Sequence, residues 1–170
     1  MITVLRLGHR RSRDARISTH CGLVARALGA ERIIYTGEKD DKLLESVRKV
    51  ASNWGGPFDV AHEKSWKSVV RNFDGVRVHL TMYGLPFQDE LKKIDAKKDV
   101  LVIIGGEKVP AEVYHSVDFN LAVTSQPHSE IAALALFLDR LQNGAELEKK
   151  FLDYKLKVKP MPAGKFVEGH

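Results

Sequence analysis

The chain contains a single cysteine, Cys21, among 170 residues. One thiol excludes an internal disulfide and a cysteine-rich zinc site, and the seven histidines show no spacing that indicates a metal site. No stretch approaches the roughly 20 apolar residues that span a bilayer, and the basic N-terminus lacks the apolar segment of a secretory signal. We therefore expect a soluble, cytoplasmic protein without a metal or a membrane partner.

The glycine loops that bind nucleotide phosphates are also missing. No GxGxxG motif follows the first predicted strand, and no GxxxxGK[ST] motif occurs anywhere in the chain. The sequence therefore disfavours a cofactor held by its phosphates on such a loop.

An excess of arginine is concentrated at the start of the chain. The formal net charge is +5, from 27 basic and 22 acidic residues. Residues 1–32 hold seven arginines against Asp14 and Glu31, and the remaining 138 residues carry as many acidic as basic side chains. The planar guanidinium group suits phosphate. The cluster therefore predicts a nucleic acid or another polyanionic ligand, with a solvated basic loop as the alternative.

Short apolar runs alternate with amphipathic stretches along the chain, and this order predicts an α/β fold with a mostly parallel sheet and helices on both faces. The run VLVII at 100–104 is typical of a parallel strand covered on both faces. The predicted strands are 2–7, 32–36, 58–62, 76–82, 100–104 and 119–123, and the predicted helices are 19–28, 42–54, 65–73, 87–94 and 127–142.

The last predicted helix is apolar nearly all round, which indicates cover from the sheet and from a second subunit, with other helices of the same chain as the alternative cover. After Gly144 the chain becomes rich in lysine and contains Pro160 and Pro162. We therefore expect one domain over residues 1–144 and an extension over 145–170, with a strand or hairpin near 154–158.

Ligands of parallel α/β folds bind beyond the carboxyl ends of the strands. Three predicted strand ends are of interest, at 80–84, 105–110 and 123–130. A glycine pair such as Gly105-Gly106 lets a ligand approach the backbone closely, but a glycine pair after a strand is more often a simple turn.

Three segments together carry a family resemblance. They are HCGLVARALGA at 20–30, VIIGGEKVP at 102–110 and NLAVTSQPHSEIAALALFLDRL at 120–141. In order and spacing they resemble the three motifs of the SPOUT methyltransferases, in the branch that methylates ribose 2′-hydroxyls. Over essentially the whole chain the sequence is similar to the archaeal tRNA cytidine 2′-O-methyltransferase family, which modifies a T-loop cytidine. His20 stands where the first motif of the branch has asparagine.

The resemblance implies a Rossmann-like sheet with a deep C-terminal trefoil knot, a homodimer, S-adenosyl-L-methionine as methyl donor and tRNA as substrate. It implies that Arg26 is the catalytic residue, as a base or as a group that stabilises the phosphate or the developing alkoxide. The implied cofactor site comprises Leu80, Gly105, Gly106, Glu107, Lys108, Val109, Val123, Thr124, Ser125, Gln126, Pro127, His128, Ser129 and Glu130.

The arginine-rich segment is expected to hold the RNA, because the loop after the first strand emerges at the same sheet edge as the cofactor loops. The candidate residues are Arg10, Arg11, Arg13, Arg16 and His20, with His9 beside them, in a segment that is mobile until RNA binds. The alternative functions are methylation of another RNA position or of a base, and a non-catalytic RNA-binding protein.

Overall fold

A computed structural model describes residues 1–95, 97–106 and 108–169. Its main feature is a six-stranded sheet in which all strand pairings are parallel. The strands are β1 (Ile2–His9), β2 (Arg32–Gly37), β3 (Asp59–His62), β4 (Val76–Pro86), β5 (Val100–Gly105) and β6 (Phe119–Ala122), in the order β3-β2-β1-β5-β4-β6. Two antiparallel strands, β7 (Leu156–Lys159) and β8 (Phe166–Gly169), form a separate hairpin.

Helices cover both faces of the sheet, as the sequence predicts. The helices are α1 (Arg11–Ala27), α2 (Asp41–Trp54), α3 (Trp66–Asn72), α4 (Phe87–Glu90), α5 (Ala111–His115) and α6 (Glu130–Gln142). Alternate residues of the central strands face opposite ways, so that Val102 packs with α1, α2 and α6, while Leu101 and Ile103 pack with α3 and α5. The predicted fold class is confirmed, and the trefoil knot stays a prediction.

The first helix starts earlier than the sequence suggested. The expected loop at 8–18 and the expected helix start at residue 19 are wrong: α1 begins at Arg11, and Thr19 lies in its interior. An inward stripe of Asp14, Ser18, Cys21 and Ala25 continues at helical spacing through the arginine-rich segment. The RNA-binding candidates therefore lie on an ordered helix rather than on a mobile loop.

Two other boundaries differ from the expectation. Helix α6 begins at Glu130 instead of Pro127, because the Ser129 hydroxyl accepts a hydrogen bond from the Ile131 backbone N–H at 3.2 Å and caps the helix. The short helix α5 was not predicted, because five residues are too few to show an apolar period.

The extension packs back against the body of the chain. The Phe151 ring lies under the Arg26 guanidinium at 4.4 Å, and Leu152 forms an isolated bridge with Gly56. The predicted hairpin in this region is present as β7 and β8, and a domain boundary at residue 144 stays a prediction. Within the described ranges, no helix has the length and apolar character that a membrane span requires.

Candidate active site

A cavity of about 400 Å³ opens at the carboxyl edge of the sheet, between the ends of β4 and β5 and the start of α6. Its volume falls in the range of about 300–1,000 Å³ that is usual for small-molecule sites. The lining residues come from β4, from the turn after β5, from α5 and from the start of α6. They are His79, Leu80, Thr81, Met82, Tyr83, Gly105, Gly106, Val109, Tyr114, His128, Glu130 and Ala133.

A bulge in β4 shapes one wall of the cavity. The pairing of β4 with β6 shifts there, because Leu80 and Leu85 both pair with Leu121 and the residues between them leave the ladder. Gly84 crosses β6 closely, and a Cβ on this residue would lie 2.6 Å from the Asn120 backbone. The close approach therefore requires glycine, and it directs Thr81, Met82 and Tyr83 to the cavity.

The turn after β5 forms the opposite wall. An added Cβ on Gly106 would meet only the Arg6 guanidinium within 4 Å, at 3.7 Å. The space beside Gly106 therefore belongs to the cavity. An added Cβ on Gly105 would instead lie 2.5 Å from a Val109 methyl group, so this glycine lets the turn fold back on itself.

An ion pair fixes the start of α6 against the sheet. Arg6 is fully buried on β1, its Nη2 lies 2.8 Å from Glu130 Oε1, and its Nη1 donates to the Leu7 carbonyl. Burial raises the pKa of the Glu130 carboxyl, and the positive charge of Arg6 acts in the opposite direction. A carboxylate beside a buried guanidinium avoids the cost of an isolated buried charge, so the pair holds Glu130 at the cavity wall.

A hydrogen-bonded group of four side chains lies beside the cavity on the α5 face of the sheet. His79 Nδ1 is 2.9 Å from Asn120 Oδ1, and Asn120 Nδ2 donates to the Tyr114 carbonyl at 2.9 Å. The Tyr114 ring meets the imidazole edge to face at 4.8 Å, and its hydroxyl lies 3.2 Å from Thr81 Oγ1. These contacts leave the imidazole one fixed orientation.

The structure brings some of the sequence-predicted cofactor residues together and places others elsewhere. Leu80, Gly105, Gly106, Val109, His128 and Glu130 line the cavity. Lys108 is exposed, Val123 packs against the core, and Thr124, Ser125, Gln126, Pro127 and Ser129 belong to an exposed loop that precedes α6. Glu107 lies outside the described residues. A cofactor role for each of these residues stays a prediction.

Arg26 lies far from this cavity within one chain. Helix α1 begins at the carboxyl edge and ends before β2, so Arg26 reaches the amino edge. There its guanidinium donates to the carbonyl oxygens of Trp54, at 2.6 Å, and Gly55, at 2.6 and 3.1 Å. Burial lowers the pKa of the guanidinium, which nevertheless stays protonated at neutral pH. The catalytic role of Arg26 stays a prediction that its position in one chain does not favour.

Most RNA-binding candidates lie where α1 begins: Arg10 precedes the helix, Arg11, Arg13 and Arg16 lie on its first two turns, and His20 lies near its middle. Arg10 pairs with Asp14 at 3.0 Å, and the pKa of that carboxyl is lowered chiefly by this hydrogen bond. Asp14 also interacts electrostatically with Arg6 and Glu130 at the cavity wall. Arg11 donates to the Lys39 carbonyl, and Arg13, Arg16 and His20 are exposed. Arg11 and Arg16 line an open groove of about 710 Å³ between α1 and the start of α2.

Sequence reasoning missed several residues of the cavity, above all His79 and Tyr114. His79 stands between Val78 and Leu80 on a predicted strand, a pattern that is typical of a packed core residue. Strand alternation could have indicated a different role, because it places His79 on the opposite face of the sheet from its two neighbours. Tyr114 belongs to the helix α5 that was not predicted.

Several solved structures share this fold. The TrmH/SpoU tRNA modifying enzyme of A. aeolicus superposes with a TM-score of 0.60 at 14% identity, over 86% of this chain and 76% of that chain. AviRb of Streptomyces viridochromogenes, a SpoU methyltransferase solved in complex with AdoMet, gives a TM-score of 0.56 at 17% identity, over 84% of this chain and 57% of that chain. The fold is therefore that of the SpoU/TrmH class of RNA methyltransferases.

Sequence comparison narrows the class to one family. The family model described as "tRNA ribose 2′-O-methyltransferase, aTrm56" matches residues 54–168. The tRNA (cytidine(56)-2′-O)-methyltransferase of Pyrococcus abyssi is 54% identical, over 98% of this chain and 87% of its own length. The protein of the same name from Methanocaldococcus jannaschii is 52% identical, over 98% and 96%. The chain belongs to the tRNA ribose 2′-O-methyltransferase family, and the resemblance seen in the three sequence motifs is confirmed.

Proposed function

We propose that the chain transfers a methyl group from S-adenosyl-L-methionine to the ribose 2′-hydroxyl of cytidine 56 in tRNA. The observation that carries the proposal is identity of about half of all residues, over 98% of the chain, to relatives named for this reaction. Those relatives are matched over nearly their full length, so the proposal concerns the whole activity and not an isolated domain.

The cavity at the carboxyl edge fits the methyl donor. S-adenosyl-L-methionine carries no phosphate, which agrees with the missing phosphate loops, and it supplies an electrophilic methyl group on a sulfonium. The apolar walls from Leu80, Val109 and Ala133 suit an adenosine group, and the space beside Gly106 allows a ligand to lie against the backbone. No group of three or more metal-binding side chains occurs within the described ranges, and the proposed methyl transfer needs none.

The chain contributes to the reaction chiefly by positioning. Methyl transfer is an in-line displacement, and its rate depends strongly on the alignment of the hydroxyl oxygen with the methyl carbon. The arginines on the first turns of α1 share the sheet edge with the cavity, where phosphate contacts orient the RNA without reading its sequence. Selection of one cytidine then depends on the folded shape of the tRNA and on contacts with exposed bases.

A homodimer accounts for the apolar surface that one chain leaves open. Leu136 on α6 is 50% exposed and Ile17 on α1 is 40% exposed, although α1 and α6 pack against each other. Tyr83 and Leu85 on the bulge of β4 are exposed as well. A second copy of the chain is the natural cover for such surface.

The test is nucleoside mass spectrometry after incubation of the purified chain with unmodified tRNA transcript and S-adenosyl-L-methionine. We expect 2′-O-methylcytidine at position 56, and no product from a transcript in which that nucleotide is a 2′-deoxycytidine. A methylated base would favour the base-methylating alternative. RNA binding without methylation would favour the non-catalytic alternative.

A further inference from the structure

His79 combines complete burial with an unsatisfied polar atom at the cavity. The side chain lies on β4 with 0% exposure and is one of the lining residues. Its Nδ1 contacts Asn120, whereas its Nε2 is buried and has no hydrogen-bond partner among the described residues. A buried polar atom in a folded protein normally has a partner, so this nitrogen calls for an explanation.

The surrounding hydrogen bonds determine which nitrogen carries the proton. Asn120 Nδ2 donates to the Tyr114 carbonyl, so the oxygen of the same amide faces His79. An amide oxygen only accepts, and therefore His79 Nδ1 must be the donor. Burial lowers the pKa of His79 and keeps the ring neutral. Nε2 is consequently a hydrogen-bond acceptor that is held in place by Asn120 and by the edge contact with Tyr114.

We propose that His79 Nε2 accepts a hydrogen bond from the adenosine group of the methyl donor, and that this contact contributes to recognition of the cofactor. The inference rests on the proposed function, which places S-adenosyl-L-methionine in this cavity. It makes His79 a specificity residue, in place of the packed core residue that the strand pattern indicated.

Two other hydrogen-bond donors could be considered for His79 Nε2, the ammonium group of the methyl donor and the 2′-hydroxyl of the RNA, and neither suits it. The ammonium group of the methionine part is charged, and the carboxylate of Glu130 on the same cavity wall suits a cation better than a neutral imidazole does. The 2′-hydroxyl belongs to a large folded RNA, which cannot reach a fully buried side chain, whereas a small molecule can fill the cavity that His79 lines. The adenosine group is uncharged, carries an amino group and two hydroxyls as donors, and suits the apolar walls formed by Leu80, Val109 and Ala133.

The experiment separates this contact from a structural role of the histidine. Calorimetry measures binding of S-adenosylhomocysteine and of three analogues, one without the adenine amino group, one without the ribose 2′-hydroxyl and one without the 3′-hydroxyl. We expect the wild-type chain to bind one analogue about five- to tenfold more weakly, as the loss of one hydrogen bond predicts. The variant His79→Asn keeps a donor toward Asn120 but lacks an acceptor at the Nε2 position. This variant should bind S-adenosylhomocysteine more weakly by a similar factor. It should also bind S-adenosylhomocysteine and the analogue that the wild type disfavours with equal affinity.

A second variant tests recovery of the contact. His79→Gln places an amide oxygen at the distance of Nε2, and it should regain part of the discrimination that His79→Asn loses. A general loss of packing would lower the affinity for all four compounds equally and leave their ratios unchanged. Discrimination by His79→Asn equal to that of the wild type, or its absence in the wild type, would overturn the proposal. Failure of the wild type to bind S-adenosylhomocysteine would instead count against the proposed cofactor.

Discussion

Gly106 is the position where one added side chain tests the cofactor site most directly. Because an added Cβ meets nothing closer than Arg6 at 3.7 Å, Gly106→Val should fold and place its methyl groups in the cavity. We expect the dissociation constant of S-adenosylhomocysteine to rise at least tenfold in calorimetry, with the melting temperature close to that of the wild type. Gly106→Ala is the matched control and should have a smaller effect. Unchanged affinity in the valine variant would remove this turn from the site.

Arg26 offers a test between a structural and a catalytic role. Its guanidinium satisfies the carbonyl oxygens of Trp54 and Gly55 and stacks on Phe151, at the edge of the sheet opposite the cavity. Arg26→Lys retains the charge but loses the planar fork. We expect a loss of about 2 kcal/mol in the free energy of unfolding, which corresponds to roughly 4–8 °C in melting temperature for a chain of this size.

The turnover of Arg26→Lys distinguishes a structural role of the arginine from a catalytic role. Measured well below its melting temperature, Arg26→Lys should retain turnover within a few fold of the wild type if the role is structural. Complete loss of methylation in a chain that remains folded and binds S-adenosylhomocysteine would restore the catalytic prediction. In that case the arginine would have to act on a cavity other than that of its own chain.

The arginines at the start of α1 allow a direct test of where the RNA binds. Arg10 is a poor choice for substitution, because its removal leaves the Asp14 carboxylate without this partner. Arg13 and Arg16 are exposed on the same turns, and the double variant Arg13→Ala, Arg16→Ala should weaken tRNA binding. The slope of the logarithm of affinity against the logarithm of salt concentration should fall by about 2, as expected for two lost phosphate contacts.

A matched control removes the same charge elsewhere. Lys157 and Lys165 are exposed in the C-terminal extension, and their double alanine variant should leave the salt slope unchanged. If the lysine variant flattened the slope and the arginine variant did not, the RNA would lie on the extension. Affinity for S-adenosylhomocysteine should be unaffected in both variants.

The elements that the sequence predicts best are those with the strongest burial pattern. The strand at 100–104 lies in the centre of the sheet, where both faces are covered, and all five of its residues are buried. The start of α1 could not be predicted from a hydrophobic pattern, because its inward residues Asp14 and Ser18 are polar and do not form an apolar stripe. Their burial depends on partners from distant elements, namely Arg6 on β1 and His9 at its end.

The same distinction holds for the candidate site. The strand-end rule predicts the edge of the sheet and the turns that contain Gly105, Gly106 and Glu130. It does not predict which side chains from other elements complete the cavity. Tyr114, Thr81 and Met82 lie there because of the bulge in β4 and the short helix α5. The bulge depends on close packing of Gly84 against β6, and α5 is joined to β6 by the hydrogen bond from Asn120 to the Tyr114 carbonyl.

For the whole molecule, the main prediction is the homodimer. Leu136 is half-exposed in an otherwise well-packed α6, so Leu136→Glu should convert the proposed dimer to a monomer at micromolar concentration in sedimentation velocity. Arg71→Glu on α3, at the opposite face of the sheet, is the control and should sediment like the wild type. A wild-type chain that is monomeric at this concentration would contradict the dimer.

The order of the strands has a consequence for how the chain acquires its structure. β5 lies between β1 and β4, and β6 pairs with the far side of β4, so the first 95 residues contain two central strands whose edges have no partner yet. Loop closure over such distances is slow, and unpaired edges favour association with other chains. During synthesis the N-terminal half must therefore wait for residues 100–122 before its sheet can close. A fragment that stops at residue 95 should aggregate, whereas the complete chain should refold from denaturant in a phase much slower than helix formation.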